Sequence, residues 1–320
     1  MTTFDIVADI GGTNARFACA ADGSNELQHI ETLKCAAYAG IEEAFRAYVR
    51  KLPAGTVNTL CLAIAGPVEQ DAIRFTNNAW AFSRSELARA LDCRVITIND
   101  FTAQASALDV LRPDELEWLG AARPRGGRAR VVMGPGTGLG VAALSPDGAV
   151  LPTEGGHIGF APTNSHELRV LELLWKQFPR VSIERLLSGP GLRTLHEANM
   201  VLAGEPAEAL SASDITERAH QGDARCAQTV QNFLEILATV AGDYVLALGA
   251  LDGVYLTGGI LPKLGDLLDR ERFRARFEAK GRFQAYCARA PLALMRAEHT
   301  GLRGCLAALR RIDAGAATAT

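Results

Sequence analysis

Asn99 and Asp100 follow the apolar run Val95-Ile96-Thr97-Ile98 and precede a helix-forming stretch. That is the carboxyl edge of a buried strand, where open α/β sheets place their ligands. An aspartate there can accept the proton of an alcohol while the neighbouring amide orients it. Helix capping is the alternative use of the same pair. In Pro152-Thr153-Glu154-Gly155-Gly156-His157-Ile158-Gly159, Glu154 and His157 put an acceptor and an amphoteric ring on one loop, which suits paired hydroxyls of a sugar. Metal ligation competes, without a third ligand at a zinc-like spacing, and so does a structural histidine. Glu184, ahead of Leu186-Leu187-Ser188-Gly189-Pro190-Gly191, adds a carboxylate; it equally fits an acid in a helix's first turn, with Ser182 as the cap.

Two glycine-rich turns join apolar runs: Val7-Ala8-Asp9-Ile10-Gly11-Gly12-Thr13-Asn14-Ala15, and Val131-Val132-Met133-Gly134-Pro135-Gly136-Thr137-Gly138-Leu139-Gly140-Val141. Glycines let backbone N–H groups crowd an anion, and the threonine hydroxyls add donors, so each turn can hold a phosphate. A plain hairpin turn is the alternative for either one alone. Two such turns, one in each half, suggest a nucleotide clamped between halves. Gly138, Gly140 and Ala143 match a dinucleotide-fold spacing, but Ser145-Pro146-Asp147-Gly148 follows too soon for a helix, so a strand hairpin is predicted. No P-loop motif occurs. Thr257-Gly258-Gly259-Ile260 is a third glycine turn after a strand, able to let backbone approach a ring or ribose.

These residues must be positioned by an alternating α/β framework. Strands are predicted over Thr3–Ile10, Ala15–Ala20, Leu27–Lys34, Leu60–Ala65 and Val95–Ile98, with helices over Ile41–Leu52 and from a Ser83/Glu86 capping box through Leu91. Helices are predicted over Glu167–Gln177, roughly Ala207–Ala219, and Gln228–Leu248 with Phe233, Ile236, Leu237, Val240, Val245 and Leu248 at helical spacing. Late strands fall at Val254–Leu256 and Leu292–Met295, then a helix over Gly301–Arg311 and a fraying tail, Ala314–Thr320. The cluster Arg123-Pro124-Arg125-Gly126-Gly127-Arg128-Ala129-Arg130 reads as a solvated linker between halves.

At 320 residues, two domains or lobes are expected. A net charge of −3 gives no global field favouring nucleic acid or an anionic membrane. Seven cysteines without a C-x-x-C pair fit a reducing cytoplasm and argue against structural zinc. Neither a signal peptide nor a membrane-spanning run is present.

Taken in order, "DIGGTNAR", "INDFTAQA", "GPGTGLG", "EGGHIGFAP", "SIERLLSGPGL" and "LTGGI" resemble the bacterial glucokinase family, within the group sharing the hexokinase, actin and Hsp70 ATPase core. The resemblance implies an α/β, two-domain, actin-like ATPase (ribonuclease H-like) fold: a small α/β domain over 1–110 plus 301–320, a larger α+β domain over 111–300, and an inter-domain cleft. It implies a cytoplasmic, Mg²⁺-dependent enzyme that phosphorylates glucose at its 6-hydroxyl with ATP, as a homodimer. On that resemblance Asp100 is the base; Asn99, Asp100, Glu154, His157 and Glu184 bind the sugar. Asp9, Gly11, Gly12, Thr13 and Asn14 form the first phosphate loop, with Asp9 near Mg²⁺ through water; Gly134, Gly136, Thr137 and Gly138 form the second, and Gly258 and Gly259 lie by the adenosine. The cysteine-rich zinc motif of the related repressor/sugar-kinase group is missing. A fructokinase or mannokinase is the nearest alternative. A sugar-sensing regulator lacks room for an N-terminal DNA-binding domain, and an actin-like ATPase does not need Glu154, His157 and Asp100 in these positions.

Overall fold

A computed structural model describes residues 2–75, 79–206 and 208–318. The chain divides into two compact units, Met1–Pro113 with Ala297–Thr320, and Asp114–Arg296. The predicted start of a helix at Ala207 and the last two residues of the tail lie outside the described residues.

In the first unit β1 (Thr2–Ile10), β2 (Asn14–Ala21) and β3 (Gln28–Lys34) form an antiparallel meander. Then come α1 (Ile41–Val49), β4 (Gly55–Ile64), the small hairpin β5 (Ala72–Arg74) and β6 (Ala81–Ser83), α2 (Arg84–Leu91), β7 (Arg94–Asn99) and α3 (Asp100–Ala107). The sheet order is β3-β2-β1-β4-β7, with β4 parallel to both β1 and β7. Alternation on β1 sends Ile6, Ala8 and Ile10 to one core, shared with Phe45 and Tyr48 of α1. Val7 goes to the other core, shared with Leu302, Cys305, Leu306 and Leu309 of the C-terminal helix, Thr300–Thr318. Because side chains alternate with period two, Asp5 and Asp9 share the face of Val7. The fully buried Asp5 pairs with Arg310 and accepts from Asn58 Nδ2 at 3.2 Å, while Asp9 lies against Gly301 in the helix's first turn. That helix runs past the predicted end, through the tail expected to fray, since its last turns are rich in alanine.

The second unit opens with β8 (Leu116–Trp118), then β9 (Arg130–Pro135), β10 (Leu139–Leu144) and β11 (Val150–Thr153), another antiparallel meander. The hairpin after the second glycine turn is therefore present. Then follow α4 (Ser165–Trp175), α5 (Gly189–Ala203), α6 (Ala212–His220), α7 (Ala224–Leu248), β12 (Val254–Leu256), α8 (Leu261–Leu264), α9 (Arg270–Glu278), α10 (Gln284–Ala288) and β13 (Leu292–Met295). The order is β11-β10-β9-β12-β13-β8, with β12 parallel to both β9 and β13. Helix α7 starts before the predicted Gln228 because Asp223 caps it, accepting from Arg225 and Cys226 N–H; Leu248 at its end is exposed rather than core. Six of the seven cysteines are buried and all are thiols.

The Arg/Gly segment is not a linker between the units. It lies inside the second, where the buried Asp252 carboxylate accepts from Arg125, Gly126 and Arg128 N–H at 2.8 to 3.0 Å. Among the described residues no helix is long and apolar enough to cross a membrane.

Arg310 also donates to the Ala21 and Ser24 carbonyls, so it ties the C-terminal helix to β1 and the end of β2 around one buried charge pair. Arg310→Met leaves Asp5 buried and uncompensated, and should lower unfolding free energy by about 3–5 kcal/mol in denaturant melts. A loss below about 1 kcal/mol would show that Asp5 needs no counter-charge.

Candidate functional site

The first glycine turn joins β1 to β2 and is closed by Gly11 N–H donating to Asn14 O at 2.9 Å. Gly12 and Thr13 are exposed at its tip. Desolvation raises the Asp9 pKa against the opposing pull of Arg16, whose Nη1 lies 3.6 Å from Oδ2. In the same turn Asn14 Oδ1 is buried with no hydrogen-bond partner among the described residues. A carboxylate and an amide oxygen at the two ends of one turn are hard oxygen donors, the kind of set that suits a hydrated divalent cation.

At the end of β7, Asn99 caps α3: its Oδ1 accepts from Phe101 N–H at 2.8 Å and Thr102 N–H at 3.2 Å, and its Nδ2 faces Gly66 O at 3.4 Å. Asp100 is the first helical residue, and its Oδ1 also receives Phe101 N–H at 3.0 Å. Capping therefore rests chiefly on Asn99, whose Nδ2 donates one hydrogen to Gly66 O and has a second N–H to offer.

In the second unit Glu154, His157 and Glu184 converge. Gly155–His157 form one 3-10 turn. The following residues pair with the segment before Glu184: Phe160 N–H donates to Val181 O at 2.9 Å and Ile183 N–H to Ile158 O at 3.0 Å. That ladder brings Glu184 beside a loop nearly thirty positions earlier. His157 Nε2 lies 3.8 Å from Glu154 Oε2 and its Nδ1 lies 3.9 Å from Glu184 Oε1. Both gaps exceed hydrogen-bond length, so the three groups keep capacity for a ligand's hydroxyls. Their side chains are 75%, 54% and 31% exposed, in the order Glu154, His157, Glu184. Glu184 is not a helix N-terminal acid capped by Ser182. It sits in a 3-10 turn where Ser182 makes no capping bond, and the helix begins later, at Gly189, capped by Ser188.

The glycines of the second turn have different surroundings. A Cβ on Gly134 would meet the Thr257 backbone at 2.8 Å, and one on Gly258 (φ +95°) would meet Pro135 O at 2.5 Å, so these two permit backbone-on-backbone packing. Gly136, Thr137 and Gly259 line a cavity of about 500 Å³, walled further by Pro190 and Leu192 of α5, Ser213 and Thr216 of α6, and Lys263. Sequence reasoning missed this wall, because its residues look like any helix surface. It also missed Arg180, whose Nη2 donates to His157 O at 2.6 Å and steadies the loop. An arginine in a polar stretch carries no signal of that contact.

The glucokinase family model matches residues 6–312. The glucokinase of Chromohalobacter salexigens is 44% identical over 97% of this chain and 98% of its own length. A crystal structure of a glucokinase from an Antarctic psychrotroph shares 36% identity at a TM-score of 0.85, covering 96% of this chain and 99% of its own. The glucokinase of Balamuthia mandrillaris, solved in complex with glucose, has the same fold at 21% identity and a TM-score of 0.78, covering 97% and 94%.

The loop carrying Glu154 and His157 approaches β10 closely: a Cβ on Gly156 would lie 1.9 Å from Leu139 O, a backbone atom that cannot swing aside. Gly156→Ala should therefore displace the loop, at a cost of about 1–3 kcal/mol in thermal or denaturant melts, and weaken sugar binding in calorimetry. Wild-type sugar affinity in the folded variant would mean that the loop position does not matter to the ligand.

Proposed function

Because this chain belongs to the glucokinase family, enzymes of ATP-dependent glucose phosphorylation, we propose that Asp100 is the general base that takes the proton of the glucose 6-hydroxyl. The observation that carries this reading is the division of labour at the start of α3. Asn99 accepts both capping amides, Phe101 and Thr102 N–H, while Asp100 shares only the first of them, so the cap does not depend on an aspartate at position 100. As the 6-oxygen attacks the γ-phosphorus, the bond to the bridging oxygen of ADP breaks in line and Asp100 holds the released proton. Glu154, His157 and Glu184 hold the other sugar hydroxyls, helped by the Asn99 NH₂. Their three positions fix which hydroxyl is presented, and hydroxyls placed differently leave one acceptor unpaired.

The two glycine turns supply mainly neutral donors to the phosphates, and the cavity beside Gly136 and Gly259 takes the adenosine. Mg²⁺, where Asp9 and Asn14 offer oxygens, offsets phosphate charge when bound. Water is a competing nucleophile, so excluding it from Asp100 protects ATP from hydrolysis. No structural zinc belongs to this reading, since the cysteine-rich motif is missing from the sequence. A reducing cytoplasm suits seven unpaired thiols, and a homodimer follows from the family resemblance.

Asp100→Asn keeps shape and leaves the Asn99 cap intact, so it should fold normally. Turnover should drop on the order of 10²–10⁴-fold, while glucose and ATP still bind. A folded variant with more than about a tenth of wild-type turnover would assign the proton to another group, Glu154 being the next to test. Excess EDTA should abolish turnover and Mg²⁺ should restore it; activity that survives chelation would remove the metal from the reaction.

A further inference from the structure

The two oxygens of Glu184 have different tasks. Oε1 faces His157 at 3.9 Å, on the side where the three acceptors converge. Oε2 accepts Leu139 N–H at 2.9 Å, and a Cβ on Gly138 would lie 2.5 Å from that same oxygen and 3.3 Å from Cδ. The carboxylate therefore rests on the bare backbone of residues 138 and 139.

Backbone conformation is not what requires glycine here, because Gly138 is not among the residues with positive φ. Alanine could adopt the same backbone, and only the carboxylate opposes its methyl group. Elsewhere in the turn the situation differs: Gly136 has nothing within 4 Å and lines the cavity, and Gly134 is pressed against the Thr257 backbone. The main chain around Glu184 is also held, by Ser188 Oγ donating to Glu184 O at 2.8 Å and by Ile183 N–H bound to Ile158 O. A methyl group at position 138 would be met mainly by movement of the carboxylate, off its amide and away from His157.

We propose that Gly138 and the Leu139 amide are positioning groups for the sugar: within a turn whose neighbouring residues face the nucleotide cavity, these two form the seat that aims Glu184 at a glucose hydroxyl. The proposal rests on the reading of Glu184 as a sugar acceptor. Gly138 thereby leaves the set of phosphate-loop glycines and joins the sugar site through Glu184.

The test uses the full chain in three variants, Gly138→Ala, Glu184→Ala and the double variant. Each is measured by calorimetry with D-glucose, by calorimetry with a non-hydrolysable ATP analogue in the absence of glucose, and by steady-state kinetics. Gly138→Ala should weaken glucose binding on the order of 10- to 100-fold, the scale of one lost charge-assisted hydrogen bond, and raise the glucose KM in step. Affinity for the ATP analogue should stay within about twofold, and kcat at saturating glucose should fall far less than kcat/KM. In the Glu184→Ala background the added methyl group should cost nothing further, because the group it displaces is gone.

Lost analogue affinity with glucose binding intact would return Gly138 to the phosphate loop and overturn the proposal, as would equal glucose losses from Gly138→Ala in both backgrounds. If Gly138→Ala alone fails to fold, a folded double variant supports the clash with Glu184, and an unfolded one overturns it. Unchanged glucose affinity in Glu184→Ala would instead sink the reading of Glu184 itself, a result distinct from weak glucose binding in Glu184→Ala beside normal binding in Gly138→Ala.

Discussion

The backbone of Leu139 is the constraint from which the second unit's site follows. Its N–H is held by Glu184, and its carbonyl lies against the place where Gly156 has no side chain. No substitution at position 139 removes the carbonyl and only proline removes the N–H, and the neighbouring segments fit these groups with glycines at 138 and 156 and a carboxylate at 184. Leu139 is itself buried and in register opposite Pro135 in the β9–β10 hairpin. Sheet pairing thus fixes the peptide, and the peptide fixes two loops far apart in sequence. Interiors packed this tightly pass small displacements on rather than absorbing them.

Each unit's large sheet contains a three-stranded antiparallel meander whose first hairpin carries a glycine turn, flanked by parallel strands, with β8 added antiparallel at the far edge of the second. Neither turn leads into a helix, so the donors each presents are turn amides and hydroxyls rather than a helix N-terminus. The two turns differ in charge. The first has Asp9 at its entrance, delivered to the face of the C-terminal helix by the same alternation that buries Asp5 and Val7. The second, from Gly134 to Gly140, has no acid. The second turn nevertheless meets a carboxylate at its far end, where Glu184 accepts Leu139 N–H at 2.9 Å.

Much of this was legible in the sequence. The central strands, both glycine hairpins and the Asn99-Asp100 junction announce themselves through continuous apolar runs ended by glycine or by capping residues, which are local signals. What stayed hidden depends on pairing between distant segments. Glu184 looks like a helix-starting acid until residues 158 to 160 pair with residues 181 to 183. Helix α5 is hidden because Gly189-Pro190-Gly191 reads as a break, although proline in the first turn after a serine cap is a favoured helix start. The Arg/Gly segment looked like a linker because nothing near it in sequence reveals Asp252, which gathers its amides from across the unit.

Satisfaction of hydrogen-bonding capacity separates the structural acids from those with capacity to spare. Asp5 is filled by Arg310 and Asn58, Asp252 by three amides, and the buried Glu167 by Thr163, Asn164 and Arg276. A buried carboxylate left otherwise would carry an uncompensated desolvation cost, so these acids are complete within the fold. Glu154 and His157 are exposed and meet only at 3.8 Å, beyond hydrogen-bond length. Glu184 combines the two conditions, with Oε2 filled by the Leu139 amide and Oε1 open toward His157. Fixing one oxygen removes rotamer freedom that a flexible acid would lose on binding, so under the proposed sugar contact the other oxygen is already oriented.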